Sequence, residues 1–154
     1  MGTIQYLSDY PEYIKNVSRW LYDEFIHKDN QDLEYEKFNS FFQNNSKTEL
    51  PIRLVMISDE NCVGTATVTE NDFPGRQNYT PWLGGLYVDI PYRNTGIGQK
   101  LIEFVKRAVK DLGYAELYLV TENAGQYYKK LGWLLVETCD NEFGRICEIY
   151  KYNL

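Results

Sequence analysis

Two hydrophobic periods alternate along the chain. Thr3 to Leu7 (TIQYL) is a short β-like run. Apolar residues then recur at Tyr13, Ile14, Val17, Trp20, Leu21 and Phe25, the spacing of one face of an amphipathic helix. Asp9, with Glu12 following it, has the form of a capping box at the start of that helix. A second, more polar helix is predicted around Leu33, Phe38, Phe41 and Phe42. The period then changes. LPIRLVMIS and CVGTATVTE read as two antiparallel strands around a tight turn at Asp59-Glu60-Asn61, and NDFPGRQNYTP has the composition of a loop. Beyond it come a strand through Leu86-Tyr87-Val88, a helix from about Ile97 to Leu112, and AELYLVT, a buried strand that completes a β-α-β unit. A short helix over QYYKKL precedes two last strands, WLLVETCD and RICEIYKYN, joined through Asn141 to Gly144. The predicted order is β-α-α-β-β-β-α-β-α-β-β, a mixed sheet with helices against it.

At 154 residues the chain has room for one core and is read as a single domain over residues 1–154. No apolar run nears the roughly 18 residues that span a bilayer, and the N-terminus lacks a signal core, so a cytoplasmic protein is expected. Three cysteines without CxxC spacing and one histidine predict neither a metal site nor a disulfide framework. Cys139 and Cys147 flank the last hairpin and are expected as free thiols. A net charge of −6 argues against a nucleic-acid partner, which needs a basic patch; it suits a cationic substrate, and equally mere solubility.

The candidate chemistry lies in Arg93-Asn94-Thr95-Gly96-Ile97-Gly98, between a strand and a helix. The first amides of a helix have no internal partners and carry the positive end of its dipole, so such a junction is a natural phosphate site. A P-loop would need Lys-Ser/Thr after its second glycine, and Gly98 is followed by Gln99-Lys100-Leu101. A dinucleotide fingerprint would need Gly or Ala where Leu101 stands. The arrangement Arg-x-x-Gly-x-Gly opening a long helix resembles the pyrophosphate-binding motif of the GCN5-related N-acetyltransferase (GNAT) superfamily. Downstream, Ala124-Gly125-Gln126-Tyr127-Tyr128-Lys129-Lys130-Leu131-Gly132-Trp133 is similar to that family's A-x-x-x-Y-x-K-x-G-aromatic segment, one helix and one strand later.

The resemblance implies a fold and a chemistry. The fold is α/β (α+β), about seven strands and about four flanking helices, the sheet splayed between strands 4 and 5. Arg93, Asn94, Thr95, Gly96, Ile97 and Gly98 would cradle the pyrophosphate of acetyl-coenzyme A as cosubstrate. Leu86, Tyr87 and Val88 would pair with its pantetheine arm like an added strand, and the amide of Val88 or Tyr87 would bond the thioester carbonyl. Gly84-Gly85 is consistent with a bulge opening the sheet. Thr121, where the family often has asparagine, and Asn123 are further coenzyme contacts. Tyr128 aligns with the tyrosine that protonates the departing thiolate. Several relatives carry a glutamate on the strand before the glycine loop; this chain has Trp82-Leu83-Gly84-Gly85-Leu86, and Glu122 is the candidate base instead. The expected activity is N-acetyl transfer to a primary amine, of a small molecule or a peptide N-terminus, by direct attack on the thioester. The alternative is a non-catalytic acyl-coenzyme A sensor or interaction module. The terminal EIYKYNL could pair or swap at a dimer edge, so the chain is expected as monomer or homodimer.

Overall fold

A computed structural model describes residues 2–154. Strands β1 (Thr3–Tyr6), β2 (Ile52–Ser58), β3 (Asn61–Thr69), β4 (Trp82–Val88), β5 (Glu116–Thr121), β6 (Leu134–Asp140) and β7 (Ile146–Asn153) follow the order β1-β2-β3-β4-β5-β7-β6 in one sheet. The helices are α1 (Ile14–Leu21), α2 (Tyr35–Ser40), α3 (Ile97–Asp111) and α4 (Gly125–Lys130). Element order and class are those predicted. The β4–β5 step is parallel, in register at Trp82↔Tyr118, because the chain returns through α3. Pairings β1–β2, β5–β7 and β6–β7 are antiparallel. Among the described residues no helix is long and apolar enough to cross a membrane.

The residues cluster into two compact units, Met1–Thr67 with Gly85–Val105, and Val68–Gly84 with Lys106–Leu154. The division falls inside β3, β4 and α3.

In the first unit Leu7, Val17, Leu21, Tyr22, Phe38, Phe42, Val55 and Cys62 form a buried cluster. Two expectations change here. The chain enters α1 through 3-10 turns at Leu7–Asp9 and Pro11–Tyr13, so Asp9 lies too far ahead to cap; its carboxylate pairs with Lys47 Nζ instead. A π turn over Tyr22–Ile26 then inserts one residue into the helical period. Tyr22, four residues on from the buried Ser18, keeps the inward face of α1 at 6% exposed, and the inserted residue leaves Phe25 43% exposed rather than on the apolar face. The β2–β3 hairpin turns through Asp59 and Glu60, both at positive φ (49° and 63°), the handedness that matches strand twist.

In the second unit β7 lies between β5 and β6. Both its sides are hydrogen-bonded, so the terminal strand offers no free edge to a second copy and the edge belongs to β6. Tyr118, Cys147, Ile149, Phe73 and Trp82 are buried together on one face. Tyr150, one residue on from Ile149, points to the other face, beside Gly125 of α4. Cys139 and Cys147 are register partners and free, with Sγ atoms 3.7 Å apart.

Candidate active site

The glycine loop lies in the first unit. Asp89 Oδ1 accepts from Ile90 N–H at 3.0 Å, and a 3-10 turn over Ile90–Tyr92 delivers the chain to Arg93. Arg93 is extended; its Nε donates to Val88 O at 2.8 Å and its guanidinium lies 5.1 Å from the centre of the Tyr87 ring. That ring also packs on Trp20, at 5.3 Å. Thr95 Oγ1 donates to Tyr92 O, bracing the loop from within. Asn94 and Gly96 take left-handed backbone, with φ of 62° and 84°. A Cβ at Gly96 would meet nothing within 4 Å, so the glycine answers no packing demand. It serves the backbone turn, which other residues enter at a cost of roughly 1–2 kcal/mol. Lys100 is the first N–H to bond backward, to Gly96 O at 3.1 Å. Among the described residues none of the N–H groups from Asn94 to Gln99 donates to a backbone carbonyl. The result is an exposed run of amides at the positive end of a helix, which suits a phosphate.

β4 leads into this loop, and Gly85 within it has a φ of 54°, the left-handed glycine that a bulge uses. Asp89 N–H bonds to Val63 O of β3 at 2.9 Å. Because amides alternate sides along an extended chain, the Tyr87 N–H points the same way and the Val88 N–H points away from β3. Val88 O, on that same outer side, is the atom that Arg93 holds.

The remaining predicted residues lie in the second unit. Gly132 has a φ of 92°; its N–H reaches Lys129 O at 3.0 Å and the Trp133 N–H reaches Tyr128 O at 3.0 Å. This pair of bonds is a Schellman motif, and it explains the Tyr-x-x-x-Gly-aromatic spacing: the contact it brings is Trp133 against Tyr128, ring centres 5.8 Å apart. Tyr127, which packs edge-on to Tyr128 at 5.2 Å, is 43% exposed, whereas Tyr128 is half-buried. Burial, with Tyr127 adding, pushes the Tyr128 hydroxyl up to about 12, so it stays protonated at any physiological pH. Among the described residues that hydroxyl has no hydrogen-bond partner.

Thr121 Oγ1 accepts from Ala124 N–H at 3.0 Å, tying the end of β5 to the start of α4 while keeping its own proton to donate. Asn123 is exposed. Glu122 Oε1 accepts from Arg145 Nε at 2.6 Å, so the expected base is engaged in an ion pair.

Three features were not anticipated. A Cβ at Gly125 would stand 2.1 Å from Glu148 Oε1 and 2.6 Å from Tyr150 Oη, so glycine alone lets α4 dock there. Arg76 and Tyr79, in the loop before β4, hold the Glu137 carboxylate at 2.6 and 2.9 Å. Asp72, in the same loop, lies against Gly84. Only Gly125 carried a sequence signal, as part of the tyrosine motif.

The fold has close counterparts. The chain is similar to an aminoglycoside 6'-N-acetyltransferase complexed with coenzyme A at 15% identity and a TM-score of 0.75, covering 98% of this chain and 96% of that one. A GNAT-family acetyltransferase from Streptococcus pneumoniae gives 18% identity and 0.69, over 100% and 99%. Another from Elizabethkingia anophelis, with acetyl-CoA bound, gives 18% and 0.58, over 68% and 76%. At such identities the likeness is one of fold. No curated protein matches the chain. Residues 14–133, which take in both glycine-containing motifs, match the acetyltransferase (GNAT) family model, and the chain belongs to that family.

Proposed function

We propose that the protein transfers the acetyl group of acetyl-coenzyme A to a primary amine of a small molecule or a peptide N-terminus. The observation that carries this is the run of unpartnered amides from Asn94 to Gln99, opened by the left-handed Asn94 and Gly96. Arg93, Asn94, Thr95, Gly96, Ile97 and Gly98 bind the pyrophosphate, and Leu86 to Val88 present the strand edge to the pantetheine. Thr121 and Asn123 add polar contacts to that arm. Acetyl-coenzyme A supplies the activated acyl group.

The chain's own groups then divide the work. Of the two amides considered for the thioester carbonyl, Val88 is preferred, because its N–H points away from β3 while the neighbouring amides are turned toward it. Tyr128 donates its proton to the leaving sulfur, and its freedom from other partners supports that role over one in packing. Glu122 acts as base only if its pair with Arg145 opens.

The test is thermal shift with acetyl-coenzyme A, coenzyme A and NAD, followed by thiol release with a panel of amines. A ligand at a hundredfold its Kd adds about 2.7 kcal/mol. Stabilisation by both coenzyme A forms and not by NAD, with thiol release, is expected. Stabilisation by NAD alone overturns the proposal, and coenzyme binding without release to any amine favours the non-catalytic module.

A further inference from the structure

The β3–β4 loop holds a carboxylate that the sequence treats as ordinary loop polarity. A side chain at Gly84 would place its Cβ 2.8 Å from Asp72 Oδ2, so the Asp72 carboxylate occupies the space over β4 that the glycine leaves empty. By the two-residue period of the strand Gly84 shares a face with Trp82, whose ring packs on Phe73, Tyr79 and Tyr118. Asp72 precedes Phe73 in the chain and so flanks this aromatic cluster. That cluster lies on the face of β5 and β7 opposite α4.

Asp72 combines properties that rarely coincide. The residue is exposed to solvent, yet enough protein surrounds its carboxyl for desolvation to push it up to about 6. It makes no hydrogen bond or ion pair with any described residue. Among the other carboxylates of this unit Glu137 is held by Arg76 and Tyr79, Glu116 by Lys151 and Glu122 by Arg145, while Glu70, two residues before Asp72, is exposed and makes no side-chain bond with any described residue. Tyr79 and Tyr118, on the adjoining loop and strand, are both raised above 10 and stay neutral. No charged group contributes to the shift of Asp72. An ionised carboxylate without a partner in such a place is a costly arrangement that a cationic ligand relieves.

We propose that the carboxylate of Asp72 receives the ammonium group of the acceptor and takes its proton. This rests on the transferase function proposed above. The ammonium gives one proton to Asp72, which passes it to solvent, and the freed lone pair forms the carbon–nitrogen bond to the thioester carbonyl. As the carbon–sulfur bond breaks, sulfur takes the Tyr128 proton. The nitrogen loses its second proton to solvent, and solvent reprotonates Tyr128. The products are the amide and free thiol, with one net proton released.

The test compares wild type with Asp72→Asn, Glu122→Gln and Gly84→Ala, using acetyl-coenzyme A with spermidine, kanamycin and a peptide bearing a free N-terminus. Readouts are kcat/KM against pH and coenzyme affinity by thermal shift. Asp72→Asn is expected to lower kcat/KM by about a hundredfold and to abolish the acid limb near pH 6, with coenzyme affinity unchanged. Gly84→Ala, whose methyl displaces the carboxylate, is expected to give a smaller loss of the same kind, and an acid limb removed by Glu122→Gln but kept in Asp72→Asn would assign the base to Glu122 and overturn the role of Asp72. Wild-type turnover with an unaltered Asp72→Asn profile overturns the role of Asp72 alone. Coenzyme binding without wild-type release to any of these amines overturns it together with the transferase function.

Discussion

Gly96 and Gly132 occupy the same region of backbone space, with φ of 84° and 92°, and use it for opposite ends. At Gly96 the left-handed turn leaves amides unfilled ahead of α3, and the loop becomes a surface for something else to bind. At Gly132 the same turn fills the amides, closing α4 with bonds to Lys129 and Tyr128 and seating Trp133 on the Tyr128 ring. One glycine makes a vacancy and the other makes a stop. A glycine in a motif is therefore informative only through where its neighbours' N–H groups point.

Breaking the two regions should separate affinity from turnover. The largest effect is expected from Tyr128→Phe, which should lower kcat on the order of a hundredfold while coenzyme affinity stays put; unchanged turnover removes the acid assignment. Because burial pushes Tyr128 up to about 12, the wild-type rate should show no alkaline loss from this group below about pH 10. Next comes Gly96→Val. It should weaken coenzyme binding by about tenfold or more, roughly 1.4 kcal/mol, and titration calorimetry that finds native affinity would mean the loop amides do not bind it.

Gly132→Ala sharpens the contrast from the other side. The new Cβ meets only Tyr152 at 3.5 Å, so the cost is backbone, about 1–2 kcal/mol by chemical denaturation, with coenzyme affinity intact. Equal loss of affinity at both glycines would erase the distinction. The smallest effect concerns the Arg76–Glu137 pair. Arg76, and Tyr79 after it, hold the Glu137 carboxyl below the usual carboxylate range. A lowered folded value means that the stability from this group is fully present above its unfolded pKa and lost as pH falls through the folded one. Glu137→Gln should flatten that acid-side slope of the melting temperature slightly, and an unchanged slope would leave the pair without a role.

The order of elements was legible because it rests on periodicity, which each segment carries by itself. The local signals were less dependable. Asp9 and Glu12 spell a capping box, but Pro11 starts a 3-10 turn and Asp9 turns to Lys47, a residue far along the chain. Phe25 fits the helical stripe only if the helix keeps its period, and the π turn shifts it outward. Thr121 and Glu122 were both candidates for chemistry, and each has a structural partner, Ala124 and Arg145. Asp72 was invisible, since nothing in NDFPGRQNYTP distinguishes one polar residue from the next.

By itself the sequence determined the strand and helix order, the glycine loop at the mouth of α3, and Tyr128 as the tyrosine of its motif. These depend on neighbours within a few residues, whose spacing and torsional freedom are written in the chain. Only the tertiary structure decided which carboxylates are free. Pairing Glu122 with Arg145, or leaving Asp72 alone over Gly84, depends on distances between segments far apart in sequence. Charge, burial and the reactivity they set belong to that packing and to no residue alone.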